Sequence, residues 1–137
     1  MKWVLPLHRH GLRPEERSHV QAASRFDFDA FKRACESQDI EAWTAFYAKD
    51  AEWIAYRHDA PPRAPSRVAG ARQIGEFLRR VRATKVRLSI RDEVLGPTRA
   101  AFCVTCTLPS GDRVIENVII HHRDGKIARQ VDVEAWD

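Results

Sequence analysis

In ENVIIHHRDGKIARQVDVEAWD, the stretch from Glu116 to Asp137, an amide and two carboxylates interrupt runs of Val and Ile that otherwise read as core strands. Asn117 breaks the first run, and Asp132 and Glu134 break the second. A carboxylate among apolar neighbours has its charged form penalised, so its pKa rises unless donors satisfy it. A nearby amide can supply such a donor. A poised carboxylate beside an amide, over an apolar floor, is apparatus for moving a proton on a bound organic molecule. Asp132 and Asn117 are therefore the candidate catalytic residues. The plain alternative for the same pair is a cross-strand hydrogen bond that only fixes register.

Whether the two residues meet depends on register, because a one-residue slip moves every side chain to the other face. A two-residue turn at Asp124-Gly125 pairs Arg123 with Lys126 and sets Asn117 opposite Asp132. A four-residue loop over Pro109 to Asp112 then sets Val104 opposite Asn117, and a loop over Pro97 to Arg99 sets Asp92 opposite Val104. One row across the sheet thus reads Asp92, Val104, Asn117, Asp132. The same face gathers Ile90, Val94, Phe102, Cys106, Leu108, Ile115 and Ile119, and His121 shares it. The opposite face carries Ala101, Cys103, Thr105 and Thr107 with Val118, Ile120, Val131 and Val133. Both faces are partly apolar, as expected if one packs helices and the other meets a second subunit.

The elements that must hold this row follow from periodicity. Phe28, Phe31 and Cys35 recur at helical spacing behind Asp27, a good N-cap. Asp39 caps a second helix, with Ile40, Trp43, Phe46 and Tyr47 on one face. Glu52 to His58 reads as a short strand, and DAPPRAPSR, with its three prolines, as a loop. Gly70 to Arg82 is a third helix, striped by Ile74, Phe77, Leu78 and Val81. From Lys85 the period changes to two, and turns at Gly96-Pro97, Ser110-Gly111 and Asp124-Gly125 divide a four-stranded antiparallel meander. The fold class is α+β. Trp43, Tyr47, Tyr56 and Phe77 are candidates to line a pocket for a planar ligand, although aromatic side chains at helical spacing also serve as simple core.

At 137 residues, 44% hydrophobic and 31% charged, the chain fits one soluble domain large enough to need neither disulfides nor metal. Residues 1–25 read as a loosely ordered arm and 26–137 as the domain. The apolar patch in MKWVLPLHRH is too short for a secretory leader, no run is long enough to cross a bilayer, and three cysteines form no disulfide framework. The expected location is the cytoplasm. Ten cations between Arg57 and Arg91 face only Asp59 and Glu76. Such a block suits an anionic ligand, but a solvated face is the commoner meaning, and no nucleic-acid motif accompanies it. Cys103 and Cys106 point to opposite faces of a strand, as do His121 and His122, so neither pair chelates a metal. No metal or nucleotide cofactor is implied.

The order helix, helix, FYAKDAEW, loop, GARQIGEFLRRV, then a meander ending HRDGKIARQVDVEAWD resembles the SnoaL-like branch of the nuclear-transport-factor-2-like superfamily over residues 26–137. That resemblance implies a cone: a curved, mainly antiparallel sheet wrapped around helices, enclosing an apolar pocket, with many members dimerising through the sheet. In the polyketide-cyclase members the strand after a D-G-[KR]-I turn carries an acid/base Asp, which matches Asp132. Their signature places His and Trp where this chain has Gln130 and Val131. Ketosteroid-isomerase relatives build an oxyanion hole from a Tyr and an Asp, and Tyr47 and Tyr56 are the tyrosines available here. The resemblance implies a cyclase, isomerase or dehydratase acting on a small apolar or anionic organic molecule, or a ligand-binding or association domain that turns nothing over.

Overall fold

The computed structural model describes residues 26–137, so the expected arm over residues 1–25 lies outside the described residues. Helix α1 (Phe28–Ser37) starts where the Asp27 side chain accepts from the Ala30 N–H at 3.0 Å, and ends at Gln38 in the left-handed region. Asp39 caps α2 (Ile40–Thr44) in the same way, accepting from Ala42 N–H at 3.1 Å. Strands β1 (Tyr47–Tyr56) and β2 (Ser66–Ala69) follow, then α3 (Ala71–Ala83). The remainder is β3 (Arg87–Leu95), β4 (Arg99–Thr107), β5 (Arg113–Arg123) and β6 (Lys126–Trp136). One six-stranded sheet has the order β2-β1-β6-β5-β4-β3. The β1–β6 pair is parallel and every other pair antiparallel.

The sheet curls around α1, α2 and α3, which bury Phe31, Trp43, Ile74 and Leu78 against Phe102, Val118, Ile120 and Ile127 from the strands. Burying each large apolar side chain is worth about 1.5–3 kcal/mol, which clamps the helices to the concave face. Among the described residues the class is α+β with three helices, as the periodicities predict. Among the described residues no helix is long and apolar enough to cross a membrane.

Two boundaries differ from the sequence reading. The second helix stops at Thr44 rather than carrying Phe46 and Tyr47. Its backbone is taken over by the sheet: Ile127 N–H donates to Phe46 O at 2.7 Å, and Tyr47 pairs with Ile127. The strand expected from Glu52 therefore begins five residues earlier, at Tyr47. The end of the proline loop, Ser66–Ala69, is a further strand that pairs back onto β1. It is short and shows no alternation, so nothing in its sequence announces it.

The register of β5 is the larger correction. The β4–β5 turn closes one residue earlier than expected, with Leu108 N–H donating to Asp112 O at 2.9 Å and Gly111 at φ 93°. This pairs Val104 with Glu116, not with Asn117. The Asp124-Gly125 turn does pair Arg123 with Lys126, but the ladder then steps from His122–Ile127 to His121–Arg129, leaving Ala128 as a bulge. Asp132 consequently lies opposite Val118, and Asn117 opposite Val133. Both slips turn β5 over in the same sense: Val114, Glu116, Val118 and Ile120 point inward, while Ile115, Asn117, Ile119 and His121 do not.

Candidate active site

Inside the cone lies a cavity of about 100 Å³ whose walls are mostly apolar, the aromatic part supplied by Phe31, Trp43, Tyr47, Trp53, Phe77 and Phe102. Space of that order holds a few waters or a molecule about the size of benzene. Tyr47 and Trp53 stack with centroids 5.8 Å apart and planes at 7°, and Phe77 meets Trp53 edge-on at 5.2 Å. Alternation along β1 brings Trp53 and Ala55 to this wall, with Arg57 just past the strand's end, and alternation along β6 brings Gln130, Asp132 and Glu134.

Asp132 is 2% exposed and both of its carboxyl oxygens already accept hydrogen bonds. Trp53 Nε1 donates to Oδ2 at 2.6 Å, and Gln130 Nε2 donates to Oδ1 at 3.0 Å. Tyr47 holds Gln130 in turn, its hydroxyl donating to Oε1 at 2.5 Å. Burial pushes the Asp132 carboxyl well above the ordinary carboxylate range and Glu116 pushes the same way, while the Gln130 and Trp53 donors pull back only partly. The shift favours the protonated form, a carboxylic acid. With both oxygens occupied as acceptors, the function left to it is its own O–H, which it can donate.

Glu116 sits on the same wall, directly across the β5–β6 ladder from Glu134. Burial raises its pKa to about 7, Glu134 adds to the rise, and Arg57 lowers it. Glu134 is tied to the cavity mouth: Trp136 Nε1 donates to it at 2.9 Å, and Arg57 and His58 each stand 3.8 Å away. His58 stacks on Trp136 at 4.0 Å, which closes one side of that mouth. Among the described residues no donor is bonded to the Glu116 carboxyl.

Of the residues expected to line the pocket, Asp132, Trp43, Tyr47, Phe77 and Phe102 do line the cavity. The others do not. Asn117 is exposed on the convex face, where its Oδ1 accepts from Cys103 Sγ at 3.0 Å, because the bulge at Ala128 and the early β4–β5 turn invert β5. His121 lies on that convex face too, between Arg99 and Arg129, and its pKa is lowered by partial burial and by those two cations. Asp92 is exposed with φ 57°, in a bulge between Arg91 and Val94 that takes it out of the row. Tyr56 alternates away from the cavity, opposite Val133.

The residues that sequence reasoning missed are Glu116, Gln130, Trp53 and Arg57. Gln130 and Trp53 were not assigned roles because the parallel β1–β6 pairing, which sets Trp53 beside Gln130, leaves no local signal. For Glu116 a signal existed. Gly111 in PSGD suits a turn that needs a left-handed residue, and such a turn pairs one residue earlier. The basic block is dispersed: Arg67 pairs with Glu52 and Arg72 with Glu76, both at 2.7 Å, while Arg57 serves the cavity mouth.

A family described as the SnoaL-like domain matches residues 16–130. None of the curated proteins compared with the chain is a match. Among solved structures, a candidate ketosteroid isomerase from Kribbella flavida is similar at 19% identity and TM-score 0.65, over 80% of this chain and 74% of that one. A candidate isomerase from Bacillus subtilis gives 21% and 0.62, over 79% and 83%. A nuclear-transport-factor-2-like protein of unknown function from Mesorhizobium loti gives 14% and 0.68, over 91% and 95%. At these identities the likeness is one of fold.

Proposed function

The chain belongs to the SnoaL-like domain family, and on that premise we propose that its cavity is an acid/base site of isomerase type for a small, neutral, largely apolar carbonyl compound. Asp132 is the acid. It hydrogen-bonds the ligand's carbonyl oxygen and passes its proton there as a base takes the proton of the adjacent C–H bond, giving an enol; return of one proton to carbon and of the other to Asp132 completes the turnover. The observation that carries this reading is the buried Asp132 carboxyl, both oxygens accepting from Trp53 and Gln130, facing an aromatic cavity. A neutral ligand is favoured over an anion because the walls offer Glu116, Asp132 and Glu134 against one guanidinium, Arg57.

The test needs no knowledge of the natural substrate. Cyclohexanone and cyclohex-3-enone in D2O are followed by proton NMR for loss of α-proton signal. The wild type is expected to accelerate exchange, and Asp132→Asn to lose the acceleration by about 100-fold or more, the usual share of a general acid. Equal exchange in the variant contradicts the assignment.

A binding role without turnover is the second reading, favoured by one observation: the Trp53 and Gln130 donors already satisfy Asp132. Ligand-induced shifts in the aromatic resonances without exchange in any probe would select it. We also propose a homodimer through the convex face of the sheet, supported by exposed Ile119 and Val133 (47% and 53%) on that face.

A further inference from the structure

Proton transfer at carbon needs a base as well as an acid, and Asp132 cannot fill both roles at once. We infer that Glu116 is that base: the carboxylate that takes the proton from the carbon next to the carbonyl which Asp132 holds. The inference rests on the acid/base reading of the cavity and adds its second catalytic residue.

Placement singles out Glu116. Among the described residues four charged side chains line the cavity: Arg57 just after β1, Glu116 from β5, and Asp132 and Glu134 from β6. Arg57 is a guanidinium, a donor with no acceptor for a proton. Glu134 is engaged by Trp136 Nε1 at 2.9 Å, with Arg57 and His58 beside it at the mouth. Asp132 is fixed by Trp53 and Gln130. Of the other titratable lining groups, burial pushes the Cys35 and Cys106 thiols up, out of the range of a useful base, and the Tyr47 hydroxyl is committed to Gln130. Glu116 is the remaining carboxyl, and among the described residues it carries no bonded donor.

The spacing suits the task. Glu116 lies opposite Glu134 and Val118 opposite Asp132, so Glu116 and Asp132 are diagonal cross-strand neighbours. Such pairs stand about 7–8 Å apart at the backbone and somewhat less at Cβ. A carbonyl oxygen hydrogen-bonded to one group, with its α-hydrogen directed at the other, spans a gap of this order. The electrostatics suit it too. A base with its pKa near the working pH combines the correct protonation state with a useful affinity for the proton, and two carboxyls pushed to different levels divide into acid and base. Burial and Glu134 bring Glu116 to about 7, against the counter-pull of Arg57, while Asp132 is raised well above its ordinary value.

The cycle balances without an outside reagent. The α C–H bond breaks as its proton passes to Glu116, while the Asp132 proton passes to the carbonyl oxygen. Asp132 then regains its proton from the enol, and Glu116, whose acquired proton exchanges with solvent, delivers a proton (a deuteron in D2O) to the same carbon, or to the γ-carbon when the enol is extended by a double bond. No electrons leave the substrate.

The same probes in D2O test the inference with Glu116→Gln, Glu116→Asp and the wild type across pH 5–9. The expected results are at least a 100-fold loss of exchange in Glu116→Gln, partial activity in Glu116→Asp, and a wild-type rate that rises with a midpoint near 7. Exchange in a folded Glu116→Gln within threefold of wild type overturns the base assignment while leaving Asp132 as acid. So does a wild-type profile that is already level from pH 5 upwards, a readout that survives even if Glu116→Gln fails to fold. A wild type that exchanges neither probe overturns the acid/base reading itself, and the base falls with it.

Discussion

At the scale of residues, the site is built from charge held where it is costly. Glu116 and Glu134 face each other across a ladder, a like-charge pairing that destabilises a sheet. The cost has a definite pH signature. The folded-state pKa of Glu116, about 7, exceeds its ordinary value of 4.5, so the folded chain holds this proton more tightly than the unfolded chain. Stability from this group is then greatest below pH 4.5, declines as pH rises towards 7, and is level above that. The decline is on the order of 3 kcal/mol for a shift of this size. Gln does not titrate, so Glu116→Gln should be more stable than wild type at pH 8, with the gap closing as pH falls towards 5. Urea midpoints at the two pH values check it, and a pH-independent difference would contradict the raised pKa.

At the scale of elements, what was legible and what was not divide along one line. The helices over Phe28–Ser37 and Ala71–Ala83, and all four strands of the meander, follow from local period, caps and turn residues, which act within a few positions. The inward faces of β4 and β6 follow too, which is why Phe102 and Asp132 were found. The face of β5 did not, because Val114, Ile115, Val118, Ile119 and Ile120 are apolar on both parities and the pattern gives no preference. Its register is set instead by Gly111 at one end and the bulge at Ala128 at the other. Asn117 was placed in the site, and Glu116 left out of it, by that single residue of slip. Trp53 escaped because its partner residue Gln130 is 77 positions away in sequence and joined only by the parallel pairing. The turn makes its own prediction. Gly111 has open space around it but φ 93°, so Gly111→Ala should cost about 1–2 kcal/mol through backbone strain alone, read as a lower thermal midpoint. An unchanged midpoint would show that the turn does not depend on the left-handed residue.

At the scale of the whole molecule, the curled sheet has two surfaces with different duties. The concave one encloses the cavity and its carboxyls; the convex one presents Ile119 and Val133 to solvent in the single chain. The proposed homodimer would cover them, and Val133→Glu places a charge at its centre. Sedimentation equilibrium should give twice the 15.7 kDa chain mass for the wild type and close to the chain mass for the variant. A wild type that sediments as a single chain at all concentrations would remove the dimer. Neither outcome bears on the cavity, whose lining comes from one chain.

The central claim is that the cone keeps Asp132 as a neutral acid beside a Glu116 that ionises near neutrality. The most direct measurement is a carbon-13 NMR titration of the two side-chain carboxyls in the free protein. Asp132 should titrate well above the ordinary carboxylate range and Glu116 near 7. An Asp132 carboxyl that ionises near its ordinary value of about 3.9 would contradict it.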